Sequence, residues 1–193
     1  MYFCFLDLNG DGKLTWEDFQ KAKNFTCDLN QWERDSDRAI LCEDQFRTLW
    51  DILTKLADEN NDGAITQDEW LKFWATLNKK VYDEVKKNKL LEIPRSEQLP
   101  LWLHRHLMHR FQLYDRTGDG IVDVEEYEYV VSQLNISPPV ARKAFLIFSK
   151  NNTIPINFEY FSSLAVEYYF SNDTSALGNF ITGKLEFDNC KTD

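Results

Sequence analysis

No apolar run in this 193-residue chain is long enough to cross a bilayer as a helix. The opening residues, Met1-Tyr2-Phe3-Cys4-Phe5-Leu6-Asp7, carry no basic segment and leave no room for the apolar core of a secretion signal. These absences predict a soluble, cytoplasmic protein. Cysteine is sparse: Cys4, Cys27, Cys42 and Cys190 form no CxxC pair and are scattered, so they read as free thiols in a reducing compartment. Asn24, Asn135, Asn151 and Asn172 each open an Asn-x-Ser/Thr sequence, but without a secretion signal these read as chance matches. Positive charge is also short. Lysine and arginine number 22 against 32 acids, for a net charge of −10. Such a chain repels nucleic acid and anionic membrane surfaces and attracts cations. No residue set suggests catalysis.

Aromatic residues are plentiful at 15% of the chain, within a hydrophobic fraction of 43%, so a substantial core can form. The acids are clustered in a repeat. Asp7-Leu8-Asn9-Gly10-Asp11-Gly12 recurs as Asp58-Glu59-Asn60-Asn61-Asp62-Gly63 and as Asp115-Arg116-Thr117-Gly118-Asp119-Gly120. An aliphatic residue follows each hexapeptide at the same offset: Leu14, Ile65 and Val122. At position twelve stands an acid followed by an aromatic, as in Asp18-Phe19, Glu69-Trp70 and Glu126-Tyr127. Apolar residues at helical spacing flank these segments, for instance Leu49, Trp50, Leu53 and Leu56 before the second and Trp70, Phe73, Trp74 and Leu77 after it. Each loop is therefore expected between two amphipathic helices.

The first of the twelve-residue loops, 7–18, offers Asp7, Asn9, Asp11, the Lys13 carbonyl and Asp18. In the second, 58–69, the donors are Asp58, Asn60, Asp62, the Ala64 carbonyl and Glu69. The third, 115–126, brings Asp115, Thr117, Asp119, the Ile121 carbonyl and Glu126, with Asp123 as a further acid at position nine. Calcium takes six to eight oxygens, and an EF-hand loop supplies them from positions one, three, five, seven, nine and twelve around a turn at position six that needs glycine. Acidic turns that merely cap helices are the plainer reading. Three regularly flanked copies outweigh it, since average composition yields one full match in roughly one chain in a thousand. Aspartate at position twelve of the first loop is a methylene shorter than glutamate, so magnesium should compete best there.

A degraded fourth copy falls at 149–160. Positions one, three, five and twelve are Ser149, Asn151, Thr153 and Tyr160, Ile154 replaces the glycine, and Pro155 follows it. This loop should hold no ion and serve structure, with Ile156 pairing with Val122 in a short β-bridge. Its entering helix should start at Ser137 as N-cap with Pro138 in the first turn. The first two loops begin 51 residues apart, at Asp7 and Asp58, and the last two 34 apart, at Asp115 and Ser149. The first pair thus carries an insertion, expected as added helix around 32–40.

The expected architecture is all-α: four EF-hand helix-loop-helix units in two paired lobes forming one compact domain. The first pair would occupy 1–78 and a helix end plus linker 79–100. The second pair would follow at 101–170, and a tail packing on the core at 171–193. The four-hand layout with a silent fourth loop resembles the calexcitin and invertebrate sarcoplasmic calcium-binding protein family. The residues that carry the resemblance are Ala57-Asp58-Glu59-Asn60, Glu69-Trp70-Leu71-Lys72, Leu99-Pro100-Leu101-Trp102-Leu103, Glu167-Tyr168-Tyr169-Phe170-Ser171-Asn172-Asp173 and Gly178-Asn179. The resemblance implies a cytosolic protein that buffers calcium or relays it, with calcium or magnesium on the first three loops. Two departures stand out. Only six residues precede the first loop, where the family has a full entering helix, which implies a shortened first hand, and the linker is longer than usual.

Three features are set aside. Gly178 to Lys184 follows the glycine-rich phosphate-loop pattern for seven positions, but Leu185 stands where the hydroxyl residue is needed, and the tail is expected to fold onto the core instead. His104, His106 and His109 do not share one helical face and are expected in solvated or lobe-contact roles. Trp16, Trp32, Trp50, Trp70, Trp74 and Trp102 are expected in core packing, not around a chromophore. Only Met1 and Met108 are methionines, against 28 aromatic residues, whereas sensors use adaptable, methionine-rich grooves. This favours a monomeric buffer or signal modulator. The alternatives are a calcium sensor that changes shape to bind a target protein, or a luciferin-binding relative.

Overall fold

The computed structural model describes residues 6–87, 99–134, 136–171, 173–183 and 185. Seven α-helices lie among them, with one short antiparallel strand pair. The chain divides into two compact units, Met1–Leu91 and Glu92–Asp193.

In the first unit, strand β1 (Lys13–Leu14) leads directly into helix α1 (Trp16–Leu29). Gln31, with φ of 56°, turns the chain out of that helix. Ser36 then caps α2 (Asp37–Ala57), its hydroxyl oxygen accepting from the Ala39 N–H at 3.3 Å. The insertion expected as helix over 32–40 is therefore helical only from Asp37. The left-handed Gln31 and the Ser36 cap hold 31–36 as a non-helical crossing, and the added length lies in the 21 residues of α2. Strand β2 (Ile65–Thr66) pairs antiparallel with β1, Leu14 opposite Ile65, and α3 (Gln67–Lys87) follows. Of the residues that precede the first loop, only Leu6 is among those described.

Helix periodicity places most of the core. Leu49, Trp50, Leu53 and Ala57 are buried, whereas Leu56 is exposed because the buried stripe passes through Ala57. Phe19 meets Trp50 at 5.0 Å between ring centroids, and Trp70, Phe73 and Trp74 form a cluster with centroids 5.2–6.0 Å apart. Trp50, Trp70 and Trp74 are buried as expected; Trp16, Trp32 and Trp102 are only half-buried. Arg47 lies over the Trp16 ring at 3.4 Å, which shields its outer face.

The second unit contains α4 (Leu101–Tyr114), α5 (Val124–Ser132), α6 (Pro138–Phe148) and α7 (Phe158–Phe170), then a 3-10 helix at Leu177–Phe180. Ser137 is the N-cap of α6 with proline in its first turn, although its hydroxyl makes no capping bond. Val122 and Ile156 form the expected bridge, Val122 N–H donating to the Ile156 carbonyl at 2.9 Å. Around it Tyr127 stacks on Tyr114 at 5.5 Å and meets Phe145 and Phe148 edge-on or tilted at 5.4 and 5.2 Å. Gly178 lets the 3-10 helix press onto α7. A Cβ there would stand 2.2 Å from the Leu164 carbonyl oxygen. The Gly178 N–H donates to a Glu167 carboxylate oxygen at 2.9 Å, and the Tyr127 hydroxyl reaches the Phe180 carbonyl at 3.3 Å. This part of the tail thus packs on its own unit. Lys184, within the phosphate-loop resemblance, and residues 186–193 lie outside the described residues, as does 88–98 of the expected linker, whose first part continues α3.

The histidines are not solvated, the first of the two roles expected of them. His104 packs edge-on against Phe158 at 5.3 Å. Half-buried His106 is held below the ordinary imidazole value by burial first, then by Arg110 and His109, and burial lowers His109 as well. They are desolvated rather than solvated because α4 presents them to the packed side of the helix.

Candidate metal centres

Each of the first three loops is organised by its first residue. In loop 7–18, one Asp7 oxygen accepts the N–H groups of Gly10 and Asp11 at 2.8 and 3.1 Å, and the other accepts that of Gly12 at 2.9 Å. Asp115 does the same with Gly118, Asp119 and Gly120 at 2.9, 3.1 and 3.0 Å. Asp58 bonds Asp62 and Gly63 at 3.2 and 3.0 Å. The turn that makes this possible is left-handed at position six, where Gly12, Gly63 and Gly120 have φ of 80°, 81° and 84°, a conformation that side chains with a Cβ rarely adopt. Position five repeats the device on a smaller scale: Asp11, Asp62 and Asp119 each accept the N–H of position seven at 2.9 Å. That bond orients the peptide of Lys13, Ala64 or Ile121, the carbonyl expected among the donors.

Position twelve closes each loop. Asp18 accepts from Leu8 N–H at 3.1 Å and from Thr15 N–H at 2.9 Å. Glu69 accepts from Glu59 N–H at 3.1 Å and from the Thr66 N–H and hydroxyl at 2.9 and 2.7 Å. Glu126 bridges Thr117 N–H at 2.8 Å and Asp123 N–H at 3.1 Å. These three acids are buried, at 1%, 7% and 7% exposure, while positions two to six lie open. The N–H and hydroxyl of Thr66 hold the Glu69 carboxyl below its usual range.

The pairing of positions nine and twelve is a helix cap. Thr15, Thr66, Asp123 and Asn157 stand just before or in the first turn of the exiting helix, three residues ahead of Asp18, Glu69, Glu126 and Tyr160. Asp123 N-caps α5 by accepting the Glu126 N–H at 2.8 Å, so one oxygen of this ninth-position acid is committed to the helix. The roles of Thr15 and Thr66 were not singled out from sequence, although the Thr-x-x-Asp/Glu capping pattern signals them.

A divalent cation fits this donor set. Each loop offers carboxylates at its rim, a buried carboxylate at its base, and neutral amide, hydroxyl or carbonyl oxygens between them, all hard ligands. Among the described residues, no three Asp, Glu, His or Cys side chains converge closely enough to hold an ion by themselves. The acids expected to meet at one point are instead turned onto backbone N–H groups, and the rest of each donor set is neutral oxygen. Asn9 and Asn60 accordingly donate to Asp11 and Asp62 at 2.8 and 3.1 Å.

The fourth loop is built differently. Ser149 is fully buried, and its hydroxyl accepts the Asn152 N–H at 3.1 Å. Lys150, Asn151 and Asn152 are left-handed in succession, with φ of 50°, 56° and 61°. Asn157 caps α7 by accepting the Tyr160 N–H at 2.9 Å. The Tyr160 hydroxyl then donates across the loop to the Phe148 carbonyl at 2.8 Å. A hydroxyl thus spans the loop where the other three use a carboxylate.

Paired helix-loop-helix units with these loops define an EF-hand protein, and the EF-hand family model matches residues 2–23, 55–74 and 107–131. Calexcitin-1 of Caenorhabditis elegans is 23% identical over 97% of this chain and 84% of its own length. Sarcoplasmic calcium-binding proteins I, III and IV of Branchiostoma lanceolatum are 28% identical over 64% of this chain, an alignment that spans 60% of their length. The solved structure of a sarcoplasmic calcium-binding protein from amphioxus shares the fold, with a TM-score of 0.72 at 20% identity over 96% of this chain and 93% of that one. Among EF-hand proteins, the chain is thus similar in sequence to a calexcitin and to sarcoplasmic calcium-binding proteins, and it shares the fold of the latter. No helix among the described residues is long and apolar enough to cross a membrane.

Proposed function

We propose that this protein binds three calcium ions, at 7–18, 58–69 and 115–126, and acts as a calcium buffer or signal modulator. The supporting observation is the split at position twelve: a buried acid spans three loops, and the Tyr160 hydroxyl spans the fourth. Asp7, Asn9, Asp11, the Lys13 carbonyl and Asp18 would hold the first ion. Asp58, Asn60, Asp62, the Ala64 carbonyl and Glu69 would hold the second. Asp115, Thr117, Asp119, the Ile121 carbonyl and Glu126 would hold the third. Asp18 reaches its loop start only by being fully enclosed, which supports the smaller magnesium ion as a competitor there. The names of the relatives, which are calcium-binding proteins, point the same way.

Packing supports the buffer reading. The aromatic rings of each unit pack closely on one another, and methionine is nearly absent. Calcium then stabilises the fold rather than opening a groove. An ion at a thousandfold excess over its dissociation constant adds about 4 kcal/mol per site. Thermal melting with and without calcium, alongside binding of a hydrophobic dye, tests this. Calcium should raise the melting temperature markedly and lower dye binding; a rise in dye binding with an unmoved melting temperature would favour a sensor.

A further inference from the structure

Cys27 and Cys42 are 15 positions apart and meet inside the first unit. Both are free and buried, Cys27 in the last turn of α1 and Cys42 in the second turn of α2. The two helices pack on each other, and the Lys23–Glu43 ion pair at 3.1 Å fixes their register one turn away. Cys27 lies close enough to Cys42 to act on its thiol. Arg34 reaches back from the crossing segment, donating to the Asn24 carbonyl at 2.9 Å and pairing with Asp28, the neighbour of Cys27 in the chain.

We propose that this pair is an oxidation site, at which a peroxide converts the two thiols into an intramolecular disulfide joining α1 to α2. The Cys27 sulfur attacks the peroxide oxygen and becomes a sulfenic acid, and its proton leaves with the departing hydroxyl as water. The Cys42 sulfur then attacks the Cys27 sulfur. The hydroxyl departs and takes up the Cys42 proton as a second water. The net change is two thiols and one hydrogen peroxide to one disulfide and two waters. Burial, followed by the proximity of Cys27, pushes the Cys42 thiol up to about 12, which assigns it the resolving role. Buried thiols react slowly unless exposed. Both thiols lie within two helical turns of the non-helical crossing 31–36, the nearest place where the packing can open.

The consequence lies in what the two helices carry. Asp18 sits in the first turn of α1, and α2 runs directly into Asp58. A disulfide would hold the exiting helix of the first hand against the entering helix of the second and restrict any change in the angle between them.

The experiment treats the full calcium-free chain with hydrogen peroxide, alkylates it, digests it without reduction and sequences the peptides by mass spectrometry. A Cys27–Cys42 cross-link should form at lower peroxide than any pairing with Cys4 or Cys190. The melting temperature should rise by roughly 10 °C and return on reduction. In Cys42→Ser, Cys27 should instead be trapped as sulfenic acid by dimedone, with no rise in melting. Cys27 and Cys42 remaining alkylatable after unfolding, or joining only to other cysteines or other chains, would overturn the proposal. The wild-type peptide map decides this even if the variant does not fold.

Discussion

Tyr160 shows how one side chain can take over the closing role that an acid has in the sister loops. Its hydroxyl satisfies the Phe148 carbonyl, and Ser149 and Asn157 satisfy two N–H groups nearby. Tyr160→Phe should therefore destabilise the protein by about 1 kcal/mol in denaturant titration while leaving calcium stoichiometry unchanged. Loss of an ion in that variant would contradict the assignment of the fourth loop. His106 gives a second residue-level prediction. Its folded value lies below the ordinary one, so its contribution to stability is complete above pH about 6.5. As the pH falls below that, the unfolded chain takes the proton first and stability is lost. Denaturation at pH 7.5 and 5.5 should show a steeper loss for the native protein than for His106→Gln; parallel losses would refute it. The twelve-residue frame of the three loops, with its left-handed glycine and buried closing acid, was legible because calcium chemistry fixes residue type and spacing together. The burial of His106 was not, because which side of α4 packs depends on partners distant in sequence. Nor was the meeting of Cys27 with Cys42, which depends on how α1 and α2 cross after a non-helical break.

At the level of elements, the repeat predicted where helices begin better than how the segments between them run. Caps are local, so Ser137 marks a helix start from sequence alone, and the position-nine residues carry the same kind of signal. The insertion after α1 reads as helix by spacing, yet Gln31 enters the left-handed region and Ser36 starts a new helix. The 3-10 helix is a further case. Gly178 drew notice as part of a phosphate-loop pattern, but its role is contact: the lack of a Cβ lets the backbone of 177–180 rest against Leu164 and Glu167 of α7. Gly178→Ala should cost about 1–3 kcal/mol of stability by overpacking. Calorimetric stoichiometry should not change, and a fully stable variant would show that the tail is not seated there.

For the whole molecule, two compact units share one plan, in which two hands are joined by a short β contact between aliphatic residues at loop position eight. The first unit pairs two loops with acids at position twelve, whereas the second pairs one such loop with the hydroxyl-closed loop. This asymmetry sets the central claim of three sites. Isothermal titration of calcium into the full metal-free chain tests it most directly, with Glu69→Gln run in parallel to remove one long carboxylate. The native chain should take up three ions and the variant two. Four ions in the native chain, or fewer than three, or no loss in the variant, would contradict it.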